Sequence, residues 1–307
     1  MKKFLRAFIF IFVLMFFIKF AFFDNNVRLK RFISAHKENT FTTNFNYSDE
    51  QKQIFDNNIS SKSAIVINLN TKEIIYSKNP DEKIYPASLT KIMTTIIGIE
   101  EYDNINELVT IPNNIFDNLA YTHASIAGFK ALDNVLYKDL LYGAMLPSGA
   151  DATSSIEYFI SKDEANFVKL MNKKAKKLKM KNSHFSNSSG LHNNKNYSTV
   201  EDLAKLLSYS LNDGDFKAIF TKNKHTTYNG LVLKSSFFNS VENNSISNNY
   251  ILGAKTGFTP EAGLCLATYG IKNNNEYITI TANALGNNHL ENTHILDNIY
   301  LYNEVIK

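Results

Sequence analysis

Strand-forming runs stand at both ends of this chain, and helical patterns fill the space between them. Ala64 to Leu69 and Glu73 to Tyr76 are β-branched runs flanking Asn70-Thr71, a hairpin signal. Strand patterns return only at Tyr250 to Thr256, Gly263 to Tyr269 and Tyr277 to Ala284. Between them, apolar residues recur at helical spacing over Lys91 to Glu101, Lys138 to Met145, Ala152 to Ile160, Glu164 to Leu178 and Val200 to Leu211. One more such stretch, Leu290 to Val305, follows the last strand. Terminal strands around a helical middle are expected to share one sheet. The pattern predicts an α/β (α+β) sandwich: an antiparallel sheet flanked by helices, with a helical subdomain. Asn-rich stretches at 192–196, 243–249 and 273–275 read as loops and turns.

Composition narrows the class. With 44% hydrophobic residues in 307, the chain is globular rather than disordered. Its single Cys forms no internal disulfide, and 12 Gly with 5 Pro exclude a collagen-like design. A net charge of +4 is small for this length, and no nucleic-acid reading motif accompanies it, so nucleic acid is not an expected partner. The opening MKKFLRAFIFIFVLMFFIKFAFFDNN combines basic Lys2, Lys3 and Arg6 with an unbroken apolar run from Ala7 to Ile18. Small residues at a cleavage site are missing, since Ala21 sits between Phe20 and Phe22. Residues 1–23 are therefore expected to be an uncleaved signal anchor; a cleaved export signal is the other reading. Residues 24–60 read as a polar linker with one short helix around Asp49 to Asn57, and 61–307 as a single domain.

Three short motifs carry chemistry. In PASLTKIMT, Ser88 and Lys91 stand three apart at the start of an apolar helical run, hence on one helical face. A serine hydroxyl is a weak nucleophile until a base takes its proton, and a desolvated lysine is such a base. The same spacing recurs at Ser34 and Lys37 with no helix evident, so this pattern alone decides little. In PSGADA, Ser148 lies between two helices, where it either relays a proton or serves as an ordinary helix-connecting residue. In GAKTGFT, Lys255 offers a cation, Thr256 a hydroxyl and Gly257 room for a close backbone approach. An edge strand with a solubilising Lys is the plainer reading.

In this order S-x-x-K, S-G-x and K-T-G resemble the set found in serine β-lactamases and penicillin-binding proteins. Specifically, the chain resembles the low-molecular-mass D-alanyl-D-alanine carboxypeptidases from about Ala64 to Gly286. The likeness extends through LVTIP, LLYGAMLPSGADA, MKNSHFSNSSGLH, YSTVEDLAKL and AKTGFTPEAGLCLA. The resemblance implies a β-lactamase/transpeptidase-like fold and a serine peptidase acting on peptidoglycan stem peptides, with β-lactams as covalent inhibitors and no metal or organic cofactor. It implies Ser88 as the acylated nucleophile, Lys91 as its base and Ser148 as a proton relay. Lys255 and Thr256 would bind the terminal carboxylate, with Lys255 also repelling a proton from Lys91. The backbone N–H groups of Ser88 and Phe258, beside Gly257, would hold the oxyanion. With the N-terminal anchor, the expected location is the periplasmic side of a bacterial inner membrane.

Two positions depart from the family. Ala150 stands where Asn is usual after Ser-Gly, and Asn287 where some relatives carry a carboxylate-holding Arg. A D,D-endopeptidase using the same residues, or a penicillin-binding scaffold with a weakened site, are the alternatives. A β-lactamase is disfavoured because no E-x-x-L-N-like Glu lies between the second and third motifs. His36, His123, His184, His192, His225, His289 and His294 show no metal spacing and are expected on surfaces or loops. Cys265 is expected to be a buried small hydrophobe, and the lysines of KKAKKLKMK to lie solvated beside the apolar stripe of Phe167, Leu170, Met171, Ala175 and Leu178.

Overall fold

In the computed structural model, residues 45–47, 58–117, 124–286 and 291–306 are described. They fall within one unit, Thr43–Lys307. The expected signal anchor at 1–23, the short helix at 49–57 and position 287 lie outside them. Among the described residues, no helix is long and apolar enough to cross a membrane.

The chain opens with a short strand β1 (Asn46–Tyr47) and the hairpin β2 (Ser63–Asn68) and β3 (Glu73–Lys78). The side chain of Asn68 accepts from the backbone of Asn70 and Thr71, closing the turn. Helix α1 (Thr90–Glu101) follows, then the small hairpin β4 (Leu108–Thr110) and β5 (Asn134–Leu136). Helices α2 (Tyr137–Met145), α3 (Ala150–Ser161), α4 (Glu164–Lys177), α5 (Val200–Ser210) and α6 (Gly214–Phe220) complete the middle. A second small hairpin, β6 (Lys224–Thr226) with β7 (Val232–Lys234), leads into α7 (Ser236–Asn243). The strands β8 (Ile251–Thr259), β9 (Gly263–Lys272) and β10 (Asn275–Ala284) precede α8 (Thr293–Tyr300), which runs into a wider turn over Leu301–Val305.

The two ends of the sequence do share one sheet, ordered β1-β3-β2-β10-β9-β8. The seam is β2 against β10, antiparallel from Tyr277↔Asn68 to Ala282↔Ser63. Among the described strands, only β1 pairs in parallel. Every residue of β2 is buried, which is why SAIVIN reads as a continuous apolar run rather than an alternating one. One face packs beneath α8, with Val66, Leu266, Tyr277, Ile295, Leu301 and Tyr302 in a common core. The other face carries α5, which touches β2 and β10. The β9–β10 connection is Asn273-Asn274, both at positive φ, as a two-residue hairpin turn of matching twist requires.

Helix α1 is the hub of the helical layer. It contacts α2, α3, α4, α5 and α6, and Thr90 through Ile99 are buried all round. A Cβ at Gly98 would sit 2.9 Å from Leu141 Cδ2, so glycine sets how closely α2 approaches. Helices α4 and α5 begin where Asp163 and Thr199 accept from the backbone N–H groups of Asn166 and Asp202. The short elements β4 to β7, α6 and α7 had no sequence forecast, because three to eight residues complete too few turns or alternations to show a period.

One expectation is corrected here. Lys174, in the basic run of α4, is not solvated. It lies on the apolar stripe, one helical turn from Met171 and Leu178, with its ammonium 2.5 Å from Glu100 Oε2 and 5.1 Å from the centroid of the Tyr209 ring. Tyr209 Oη donates to the other carboxylate oxygen at 2.6 Å. Lys173, Lys176, Lys177 and Lys179 are exposed, as expected. Removing one partner of a buried pair strands the other. Lys174→Met is therefore expected to lower unfolding stability by about 3 kcal/mol in urea titration, and adding Glu100→Gln to restore part of it.

Candidate active site

Ser88 lies in a single 3-10 turn, Ala87–Leu89, immediately before α1. Ala87 is held at φ 46, a left-handed conformation costly for a residue with a Cβ. One turn into the helix, Lys91 points back along the same face, and its Nζ donates to Ser88 Oγ at 3.0 Å. Lys91 is 3% exposed. Burial pushes its ammonium down to about 7, partly opposed by the charge of Asp151. A second acceptor holds the amine in place: the carbonyl of Ser189, at 2.5 Å.

That carbonyl belongs to SHFSNSSGLH, a block for which sequence reasoning offered no catalytic logic. Its logic is positional. Ser188 O accepts from Thr94 Oγ1 at 2.6 Å, one turn beyond Lys91 on α1. Gly190, at φ +81, lies so close to the nucleophile turn that a Cβ would be 1.9 Å from Ala87 O. The segment is thus bolted to α1 on both sides of the serine–lysine pair.

Ser148 stands in the connection between α2 and α3 and is also left-handed, at φ 66. Its hydroxyl is buried and has no hydrogen-bond partner among the described residues. The neighbouring Asp151 points away from the serines. Its carboxylate accepts from the N–H groups of Ala127, Gly128 and Phe129 at 2.8 to 3.0 Å, and so shapes the loop that presents Ser125. Gly149 is required by this arrangement, since a Cβ there would come within 2.5 Å of Asp151 Oδ1. Ala150 is fully buried at the start of α3.

The third motif forms the free edge of the sheet. Among the described residues, strand β8 pairs only with β9, and its other edge passes the Ala87–Leu89 turn. At Gly257 a Cβ would lie 3.1 Å from Ser88 N and 3.2 Å from Pro86 O, so this glycine permits the close approach expected of it. The edge-strand reading of Lys255 is right about the strand and wrong about the side chain. Lys255 is 1% exposed, and its ammonium donates to the Thr256 carbonyl at 2.9 Å. Burial, reinforced by the charge of Lys91, holds it well below the ordinary lysine range. For Lys91 itself, burial carries the depression rather than repulsion from Lys255. Thr256 Oγ1 is 2.6 Å from Ser236 Oγ, the first residue of α7, a partner that sequence reasoning missed.

Ser88, Ser148, Thr256, Gly257 and Phe258 line one cleft of about 630 Å³, walled on its far side by α7. Lys91 and Lys255 lie behind its surface rather than on it. A nucleophile with a dry amine against it, beside an edge strand with backbone N–H groups to offer, is an arrangement built for acyl transfer.

Residues 47–286 match the family described as D-alanyl-D-alanine carboxypeptidase. The chain belongs to that family. A D-alanyl-D-alanine carboxypeptidase of Bacillus subtilis is 32% identical over 228 residues, covering 73% of this chain and 57% of the relative's length. A D-alanyl-D-alanine endopeptidase of Escherichia coli is 29% identical over 229 residues, covering 74% and 73%. The crystal structure of the DD-transpeptidase of Streptomyces K15 superposes with a TM-score of 0.69 at 27% identity, over 80% of this chain and 97% of that one. The fold is accordingly that of the penicillin-binding DD-peptidases, as the resemblance implied.

The remaining candidates of this carboxypeptidase-family chain are now placed. Cys265 is buried in β9, and burial pushes its thiol up to about 11, so it is inert packing. His192 is edge-on to Tyr85 and 3.6 Å from Glu261. His225 pairs with Asp139 at 2.6 Å and stacks on Tyr142. The expected surface or loop role fails for His294, which is buried in α8 and lines the cleft. His36, His123 and His289 lie outside the described residues, among which no metal-holding cluster occurs.

Gly190→Ala tests the bolt. It is expected to fold with lowered stability and to lose at least tenfold in acylation by fluorescent penicillin, because Ala87 must move and Ser88 with it.

Proposed function

We propose that this protein is a serine D-Ala-D-Ala carboxypeptidase that removes the terminal D-alanine from peptidoglycan stem peptides through an acyl-enzyme on Ser88. The observation that carries the reading is the 3.0 Å contact from Lys91 Nζ to Ser88 Oγ in a site where burial brings the amine to about 7. At neutral pH such a lysine is neutral in a substantial fraction of molecules and accepts the serine proton as Oγ attacks the penultimate carbonyl carbon. The oxyanion that forms is received by the N–H groups of Ser88 and Phe258, on the facing turn and strand edge. Collapse breaks the peptide C–N bond. The leaving amine takes its proton from Lys91, with the orphan hydroxyl of Ser148 as relay, and water then releases the shortened peptide by the same route in reverse. Thr256, its hydroxyl tied to Ser236, and the edge of β8 hold the end of the substrate.

β-Lactams are expected to acylate the same serine, since their strained amide meets the same nucleophile and oxyanion donors. The Escherichia coli relative named as an endopeptidase supports a second reading, cleavage of crosslinks between stem peptides by the same residues. The apolar, basic-flanked N-terminus supports attachment to the outer face of a bacterial inner membrane.

Fluorescent penicillin is expected to label the protein and to fail on Ser88→Ala; labelling retained in that variant overturns the nucleophile assignment. Digestion of purified muropeptides separates the activities: monomeric pentapeptides lose D-alanine if the leading reading holds, whereas crosslinked dimers split under the second. The acylation rate is expected to rise with pH and level off above an apparent pKa near 7, because only the neutral amine of Lys91 accepts a proton. A flat profile from pH 5 to 9 would remove Lys91 from the role of base.

A further inference from the structure

The cleft presents a problem for an anionic ligand. None of its described lining residues is Lys, Arg, Asp or Glu, and the cation of the third motif, Lys255, is turned into its own strand. Lys91, the other motif lysine, is held by Ser88 Oγ and the Ser189 carbonyl, so a carboxylate brought here leaves water and needs donors in return. Two hydroxyls meet at the mouth of this region, Thr256 Oγ1 and Ser236 Oγ at 2.6 Å. One donates to the other, which leaves a single hydrogen free to point outward.

One turn along α7 from Ser236, Ser240 Oγ donates to Asn292 Oδ1 at 2.7 Å, tying the helix to the residue two before His294. Ser236 and Ser240 lie on one face of α7, about 6 Å apart along its axis. The Thr256 end of the cleft and the start of α8 are therefore neighbours across that face. His294 itself lines the cleft, is 3% exposed, and has an Nδ1 that no described residue partners. The helix that carries it is held where Asn298 Nδ2 donates to His294 O at 2.9 Å and Thr293 Oγ1 donates to Leu285 O. Burial pushes its pKa down to about 4, so the ring is uncharged at neutral pH. A buried polar atom without a partner is uncommon and calls for an explanation. Packing supplies none, because a leucine would fill that space without the orphan.

We propose that His294 is a ligand-binding residue of this cleft, whose imidazole hydrogen-bonds the terminal carboxylate of the bound peptide alongside the Ser236–Thr256 hydroxyl pair. The proposal rests on the carboxypeptidase reading for the identity of the peptide, and on the cleft geometry for the residue. It makes carboxylate recognition here the work of neutral donors, and it makes His294 a determinant of which peptide end is accepted.

The test is direct binding in the full-length Ser88→Ala protein, which does not depend on turnover. The probes are an N-acetylated tripeptide ending in D-Ala-D-Ala and the same peptide with its C-terminus as a carboxamide, each titrated by calorimetry. Adding His294→Leu is expected to raise the Kd of the free acid about tenfold, the effect of losing one hydrogen bond to a charged group. The Kd of the carboxamide is expected to change less than twofold. Adding His294→Gln, which keeps a donor of similar reach, is expected to stay within about threefold of the parent for the acid. An unchanged Kd for the acid in the leucine variant, an equal loss for acid and carboxamide, or no acid binding by the parent overturns the proposal. Failure of the unsubstituted protein to release D-alanine counts against the carboxypeptidase reading instead and leaves the binding comparison readable.

Discussion

An amine with almost no access to water has to be held by something other than water. In this protein the need to hold Lys91 organises much of what surrounds it. The side chain is pinned between Ser88 Oγ and the Ser189 carbonyl, and the second of these contacts reaches across to a segment far along the chain. A lysine in solution would be charged at neutral pH and useless as a base; the same lysine behind a packed helix and under a carbonyl is depressed to about 7. The hub position of α1, buried all round, is what dries the site.

Local strain at two points follows from the same need. Ala87 and Ser148 both adopt left-handed backbone conformations, each costing on the order of 1–3 kcal/mol, and both flank the cleft. Neither would persist in an isolated peptide. Each is imposed by neighbours: Gly190 presses on the carbonyl of Ala87, and the loop bound by Asp151 packs over the start of α3 beside Gly149. Glycines at 149, 190 and 257 serve one purpose, letting three backbones meet where side chains would collide. The uncharged far wall continues this economy, because Thr256, Ser236 and His294 bring hydrogen bonds without the desolvation cost of a further buried charge.

Much of the fold was legible in the sequence for a simple reason. Long, strongly periodic segments reveal themselves, and the main helices and the strands β2, β3, β8, β9 and β10 all fell within a few residues of their expected places. The family resemblance carried by the motif order also implied that Ser88, Lys91, Ser148, Thr256 and Gly257 would meet. What stayed hidden was whatever depends on a contact between distant segments. Lys174 looked like one lysine among several until Glu100 and Tyr209 came to it across the helical layer. Lys255 looked available for a ligand until the strand edge buried it. His294 carried no motif, and only its place beside the cleft singles it out.

The sequence by itself determined the order of elements, the pairing of its terminal strands into one sheet and the placing of Ser88 and Lys91 on one helical face. These are set by periodicity and by spacing along one helix, which are local. Only the tertiary structure decided the lowered pKa of Lys91 and the burial of Lys255. It alone revealed the role of the Ser188-Ser189-Gly190 segment and the uncharged wall facing Thr256. Each of those depends on how much water remains around a group, and water is removed by segments that the sequence places a hundred residues away.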